Sequence, residues 1–164
     1  RLCHGYGGYD GYPHCRHYSR SAGLTMASVV YSEGLEALCR GAIDYDTDTF
    51  KVLLTTSAYT ENKDTHDFRD DVTNELGAGA GYTSGGNTVT FSVTEDDAND
   101  RVEVSLGGTT WPASTITARK AVYYKSRGGA ASADELVACI DFGSDVSTTA
   151  GTFTLTASTL RFQN

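Results

Sequence analysis

The sequence predicts an all-β fold, a jelly-roll-like antiparallel sandwich of about eight strands with one short helix near its start. Three observations predict it. Apolar and polar residues alternate with a period of two in several short runs, as in Val89, Phe91 and Val93. Turn-forming residues separate these runs every 8 to 15 residues or so. The composition favours pleated strands: ten Tyr, abundant Thr and Val, 18 Gly and only two Pro among 164 residues. A single helix cannot support parallel crossovers, which need a helix between most strands.

The elements read as follows. Residues 1–25 carry no periodicity of either kind and hold three His, two Cys and four Tyr. They are expected to be an irregular N-terminal extension, or to lie outside the native start, which Met26 would supply. Residues 26–164 are expected to form one β-sandwich domain. Ser32 is a favourable N-cap, and Leu35, Leu38 and Ala42 recur at helical spacing with Gly41 as the stop. Thr49–Thr55 is a strand, Asp64–Arg69 a capped single turn, and Val72–Leu76 a short strand. Gly77–Gly86 is a Gly-rich loop around Tyr82, expected to be mobile or ordered by a partner. Asn87–Thr94 and Arg101–Leu106 alternate cleanly and flank an acidic turn, Glu95–Asp100. Thr115–Tyr124 is a long strand. Leu136–Phe142 is apolar at nearly every position, which predicts a strand buried on both faces. Gly143–Gly151 is a turn, followed by strands at Thr152–Thr156 and Leu160–Phe162.

Charge narrows the function. The formal net charge is −8. Arg1, Arg16 and Arg20 against Asp10 make residues 1–25 +2, so the remainder carries −10. An acidic chain is a poor match for nucleic acid or an anionic membrane surface. It suits a basic protein partner or solubility at high copy number. No apolar run approaches the roughly 18 residues that span a bilayer, and the start shows no apolar signal-peptide core.

No motif announces catalysis or a cofactor. Cys3-His4 and His14-Cys15-Arg16-His17 are zinc-ligand types, but their spacing fits no standard finger. The run Glu95–Asp100 lacks the Gly and Glu of a calcium-binding EF-hand loop and reads as a solvated hairpin turn. His66 lies among Asp64, Asp67, Asp70 and Asp71. No Gly-x-Ser-x-Gly elbow accompanies it, and bonding within its own loop is expected. Gly77–Gly86 lacks the Lys-Ser/Thr end of a phosphate loop. Cys39 and Cys139 read as free thiols, with a disulfide between them as the alternative. No enzyme, metal or cofactor is expected. Trp111 is either a lid on the sandwich core or an interface anchor, and Tyr82, Tyr123 and Tyr124 are the other candidate interface residues.

Four stretches together carry a resemblance. They are Asp64-Thr65-His66-Asp67-Phe68-Arg69-Asp70-Asp71-Val72, Gly81–Gly86, Trp111–Tyr124 and Ile140-Asp141-Phe142-Gly143. In this arrangement the chain resembles the head decoration (cement) proteins of tailed phages over residues 27–164. The resemblance implies a jelly-roll sandwich on the capsid exterior of a virion. It also implies the major capsid protein as partner, and homodimers at two-fold positions. No individual contact residue carries over. The alternative reading is a tail or fibre module binding host glycans, with Trp111, Tyr82 and Tyr124 as an exposed aromatic platform.

Overall fold

The computed structural model describes residues 28–163. The expectations for residues 1–25, including the Cys3-His4 and His14–His17 ligand types, lie outside the described residues. Ten strands and one helix follow in chain order: β1 (Ser28–Val30), α1 (Ser32–Cys39), β2 (Phe50–Thr55), β3 (Asn87–Val89), β4 (Ser92–Asp96), β5 (Arg101–Leu106), β6 (Thr109–Ser114), β7 (Thr117–Lys125), β8 (Leu136–Ser147), β9 (Gly151–Leu155) and β10 (Ser158–Gln163). All pairings are antiparallel, and the fold is the expected all-β sandwich.

One layer is a five-stranded sheet in the order β1-β8-β7-β2-β3. The other consists of a three-stranded sheet, β10-β5-β4, and a two-stranded sheet, β6-β9. These two are successive parts of one bent ribbon. Leu106 pairs with Ser158 and Thr109 with Leu155, so the register runs on unbroken across the gap. The bend falls at Gly107-Gly108. A Cβ on Gly107 would run into the Thr90 carbonyl oxygen, and one on Gly108 into that of Leu155. Only a residue without a side chain permits these approaches.

The main core lies between the layers. Val52, Leu54, Tyr123 and Ala138 meet Val104, Leu106, Trp111 and Phe153 there. Phe50 and Phe91 stack with centroids 4.1 Å apart. The opposite face of the five-stranded sheet is buried too. Leu53, Val122, Tyr124, Leu136 and Cys139 pack there with Tyr31 and Tyr59. Residues 56–76 provide much of this cover. Thr56 N–H bonds to the Asn74 carbonyl (3.1 Å) and closes the segment on itself, and Leu76 N–H bonds to the Leu54 carbonyl (2.9 Å) and ties it to β2. Buried charges are paired. The Lys120 ammonium meets Glu61 and the Tyr59 carbonyl, Lys125 meets Asp48 and the Ala42 carbonyl, and Arg69 meets Asp134.

The predicted strand at Asn87–Thr94 is two strands. The chain leaves the five-stranded sheet after Val89 and joins the other layer at Ser92, so Val89 and Phe91 are buried while Val93 is exposed. Val72–Leu76 is not a strand; a single bridge, Glu75 to Thr55, is its only ladder contact. The strand after Leu136 outruns its apolar part and continues through Ser147. β1 and β6 were not predicted. β1 is only three residues long, and Pro112 and a register shift after Trp111 interrupt β6.

Helix α1 is capped one residue earlier than expected. Tyr31 is the N-cap and Ser32 the first helical residue. The helix stops at Gly41 as expected. Gly41 takes φ of 70°, its N–H bonds to the Leu38 carbonyl, and the Ala42 N–H bonds to that of Ala37. This is a Schellman ending, which favours Gly for its left-handed backbone. The expected apolar face, however, is turned. Leu35 is 41% exposed, and Gly34 and Ala37 face the sheet. At Gly34 the helix comes so near β8 that a Cβ would run into the Leu136 carbonyl oxygen.

Gly34 therefore gives a test with a diagnostic sign. In an ordinary helix interior, Gly→Ala stabilises by about 1 kcal/mol. Here Gly34→Ala must lift α1 from β8, and a loss of about 1–3 kcal/mol is expected. Chemical denaturation of both forms measures it; a gain in stability would refute the close packing.

Candidate functional site

The structure places all four candidate interface residues inside the protein. Trp111, Tyr82, Tyr123 and Tyr124 are 2%, 3%, 0% and 1% exposed. Trp111 sits between Tyr82 and Phe153, with centroids 6.1 and 5.8 Å away. It is thus a core residue, and it offers nothing to a partner. Tyr123 and Tyr124 are neighbours on β7 and point to opposite faces, the first into the main core and the second into the outer one. Tyr124 donates a hydrogen bond to the Gly85 carbonyl (2.7 Å), and the Arg69 guanidinium lies over its ring.

Tyr82 explains why the Gly-rich loop needs no partner to order it. Its hydroxyl donates to Glu75 (2.9 Å) and accepts the Leu54 N–H (3.0 Å). Burial pushes its pKa far above the ordinary phenol value. Glu75 also accepts the Gly85 N–H (2.6 Å), and the Ala80 carbonyl accepts the Thr115 N–H (2.8 Å). The loop is fastened by its own chain.

His66 bonds within its own loop, as expected. Its Nδ1 is 3.0 Å from the Tyr59 hydroxyl, which lies 2.8 Å from that of Tyr31. Cys139 is fully buried beside this pair, and burial pushes its thiol pKa up to about 12. That thiol stays protonated at neutral pH, so it is a poor nucleophile. Cys39 and Cys139 are both free. Among the described residues, no three His, Cys, Asp or Glu side chains are grouped to hold a metal ion.

A surface feature that the sequence did not disclose lies at one end of the sandwich. β4, β5 and β10 reach beyond the layer that should cover them. Their inward-facing side chains there, Val93, Val102 and Phe162, meet only Leu38, Ile43 and Tyr45 across an open groove of about 490 Å³. Val93 and Val102 are 38% and 37% exposed. Period-two alternation correctly assigns these valines to the inner face. It carries no information on whether the opposing layer extends far enough to bury them. At the hairpin tip the groove shares Val102 and Phe162 with a hollow whose other walls are Glu95, Asp96, Asp97, Asp100 and Arg101, four carboxylates against one guanidinium. The tip is the expected acidic turn. Asn99 Nδ2 donates to Asp96 (2.8 Å), which also pairs with Arg101 (2.9 Å).

Two outcomes follow from these placements. Trp111→Ala should cost about 3–5 kcal/mol of stability, the range for emptying a large core position. Denaturation curves measure it, and a change below about 1 kcal/mol would return Trp111 to the surface. Alkylation of the native protein at pH 8 should modify Cys39 and spare Cys139 until denaturant is added, as read by peptide mass mapping. Early labelling of Cys139 would contradict its burial. A scan against protein-family models finds no match for this chain, and searches of curated proteins and of solved structures find no significant match.

Proposed function

We propose that this chain is a structural virion protein. It binds the outside of a tailed-phage head and stabilises contacts between major capsid subunits. Its role is to bind another protein, without catalysis. The observation that carries the binding part is the open groove, where Val93 and Val102 stay exposed on a scaffold whose central sheet is buried on both faces. Apolar side chains gathered in an exposed recess mark contact sites. The phage-head part rests on the sequence resemblance over residues 27–164.

A head filled with DNA gains from many weak clamps between capsomers, and symmetry multiplies each clamp. The rival glycan-binding module required Trp111, Tyr82 and Tyr124 as an exposed platform. All three are buried, which removes the feature that favoured that reading.

Heads stripped of this protein should lose their DNA at a lower temperature than intact heads, and adding the purified protein back should restore the original midpoint. Fluorescent-dye access to packaged DNA during heating reads the effect. Equal midpoints for stripped and intact heads would end the proposal, as would a copy number too low to cover a capsid.

A further inference from the structure

We infer that the groove docks an extended cationic segment of a partner protein that carries bulky apolar side chains. This deepens the protein-binding role proposed above by naming the chemistry of the partner, and it does not depend on the phage-head part. The apolar half of the argument is the groove floor. Val93 and Val102 stay exposed across the groove from Leu38, Ile43 and Tyr45, Phe162 is only partly buried, and covering the floor would remove apolar surface from water.

The charged half is the rim. Glu95, Asp97 and Asp100 stand at the hairpin tip where the groove meets the acidic hollow. Asp44 stands at its other wall. Among the described residues none of these four carboxylates is paired with a cation. The nearby cations are already committed: Arg101 to Asp96 and Glu103, Arg161 to Glu103, and Lys125 to Asp48. A site with surplus negative charge around an apolar floor selects Lys and Arg flanking apolar side chains.

The same rim argues against other occupants. A second copy related by a two-fold axis would bring equivalent carboxylates toward one another, and like charges in contact are costly. A fatty acid or an anionic lipid would meet the same repulsion. An extended shape suits the wall of the groove. β4 is an edge strand in the order β10-β5-β4, so one side of its backbone is open to an added strand.

The test uses the full chain and a synthetic peptide of alternating Lys and Leu. Two control peptides replace Lys by Glu, or Leu by Ser. Calorimetric titration at low and at physiological salt should show binding of the Lys–Leu peptide only, weakening as salt rises. The triple variant Glu95→Gln, Asp97→Asn, Asp100→Asn should bind about tenfold more weakly and lose most of the salt dependence. Val102→Ser should also weaken binding, by about fivefold, while its circular dichroism matches that of the parent chain and shows the fold retained. Absence of binding would overturn the inference. So would equal binding of either control, or affinity that ignores both sets of substitutions. A chain that is dimeric by mass, and made monomeric by Val102→Asp, would assign the groove to a second copy and overturn it equally. No heads enter this titration, so its failure leaves the phage-head reading to the heating assay.

Discussion

The structure depends on burying both faces of its central strands. β2, β7 and β8 are apolar on each side, with Leu53 and Leu54, Val122 and Tyr123, and Ala138 and Cys139 alternating between the two cores. A single opposing layer can cover one face only. The second cover comes from Tyr31 and from residues 56–76, which place Tyr59 and Val72 there and have little regular structure of their own. That explains the care with which this segment is fastened. Leu76 N–H bonds to the Leu54 carbonyl of β2, Thr56 N–H to Asn74 closes the segment on itself, and Tyr59, Glu61 and Arg69 tie it inward to Tyr31, Lys120 and Asp134. Loss of any one tie would expose apolar surface on the strands that make up the middle of the sheet.

The opposite layer solves a different problem. A long ribbon of two strands must follow a curved core, and it does so by bending once. Gly107 and Gly108 allow the bend because Thr90 and Leu155 press against them from the two sides. Below the bend the ribbon gains β4 as a third strand; above it, the ribbon carries Trp111 over the main core. β4, β5 and β10 extend past the cover available to them. The groove is the direct consequence of that mismatch in length between the two layers. Stability and a contact site thus come from the same ribbon, with one end buried and the other open.

The placement of aromatic residues shows how composition can mislead. Trp and Tyr are enriched at protein interfaces, and the sequence leaves Trp111 open between an interface anchor and a lid on the core. In this chain they are structural. Their large areas fill a core assembled from many small residues, and their polar atoms find internal partners where these exist, as for Tyr82 with Glu75 and Leu54. The exposed apolar residues are instead ordinary valines, which no compositional signal distinguishes from core valines.

Much of the fold was legible in the sequence by itself. Alternation gave β5, β9 and most of β7; apolar and β-branched runs gave β2 and the doubly buried part of β8; Gly41 marked the end of α1; and Asp and Asn marked the β4–β5 turn. These features are local, set by backbone geometry and by which side of a strand prefers water. What needed the tertiary structure was everything that depends on a distant neighbour. Gly34 faces the sheet in place of Leu35 because β8 leaves no room for a side chain there. Trp111 and Tyr82 are buried because they meet each other across the fold. Val93 and Val102 form a groove because the facing layer ends before reaching them. A period of two tells a side chain which way to point, but only the assembled layers decide whether anything stands opposite.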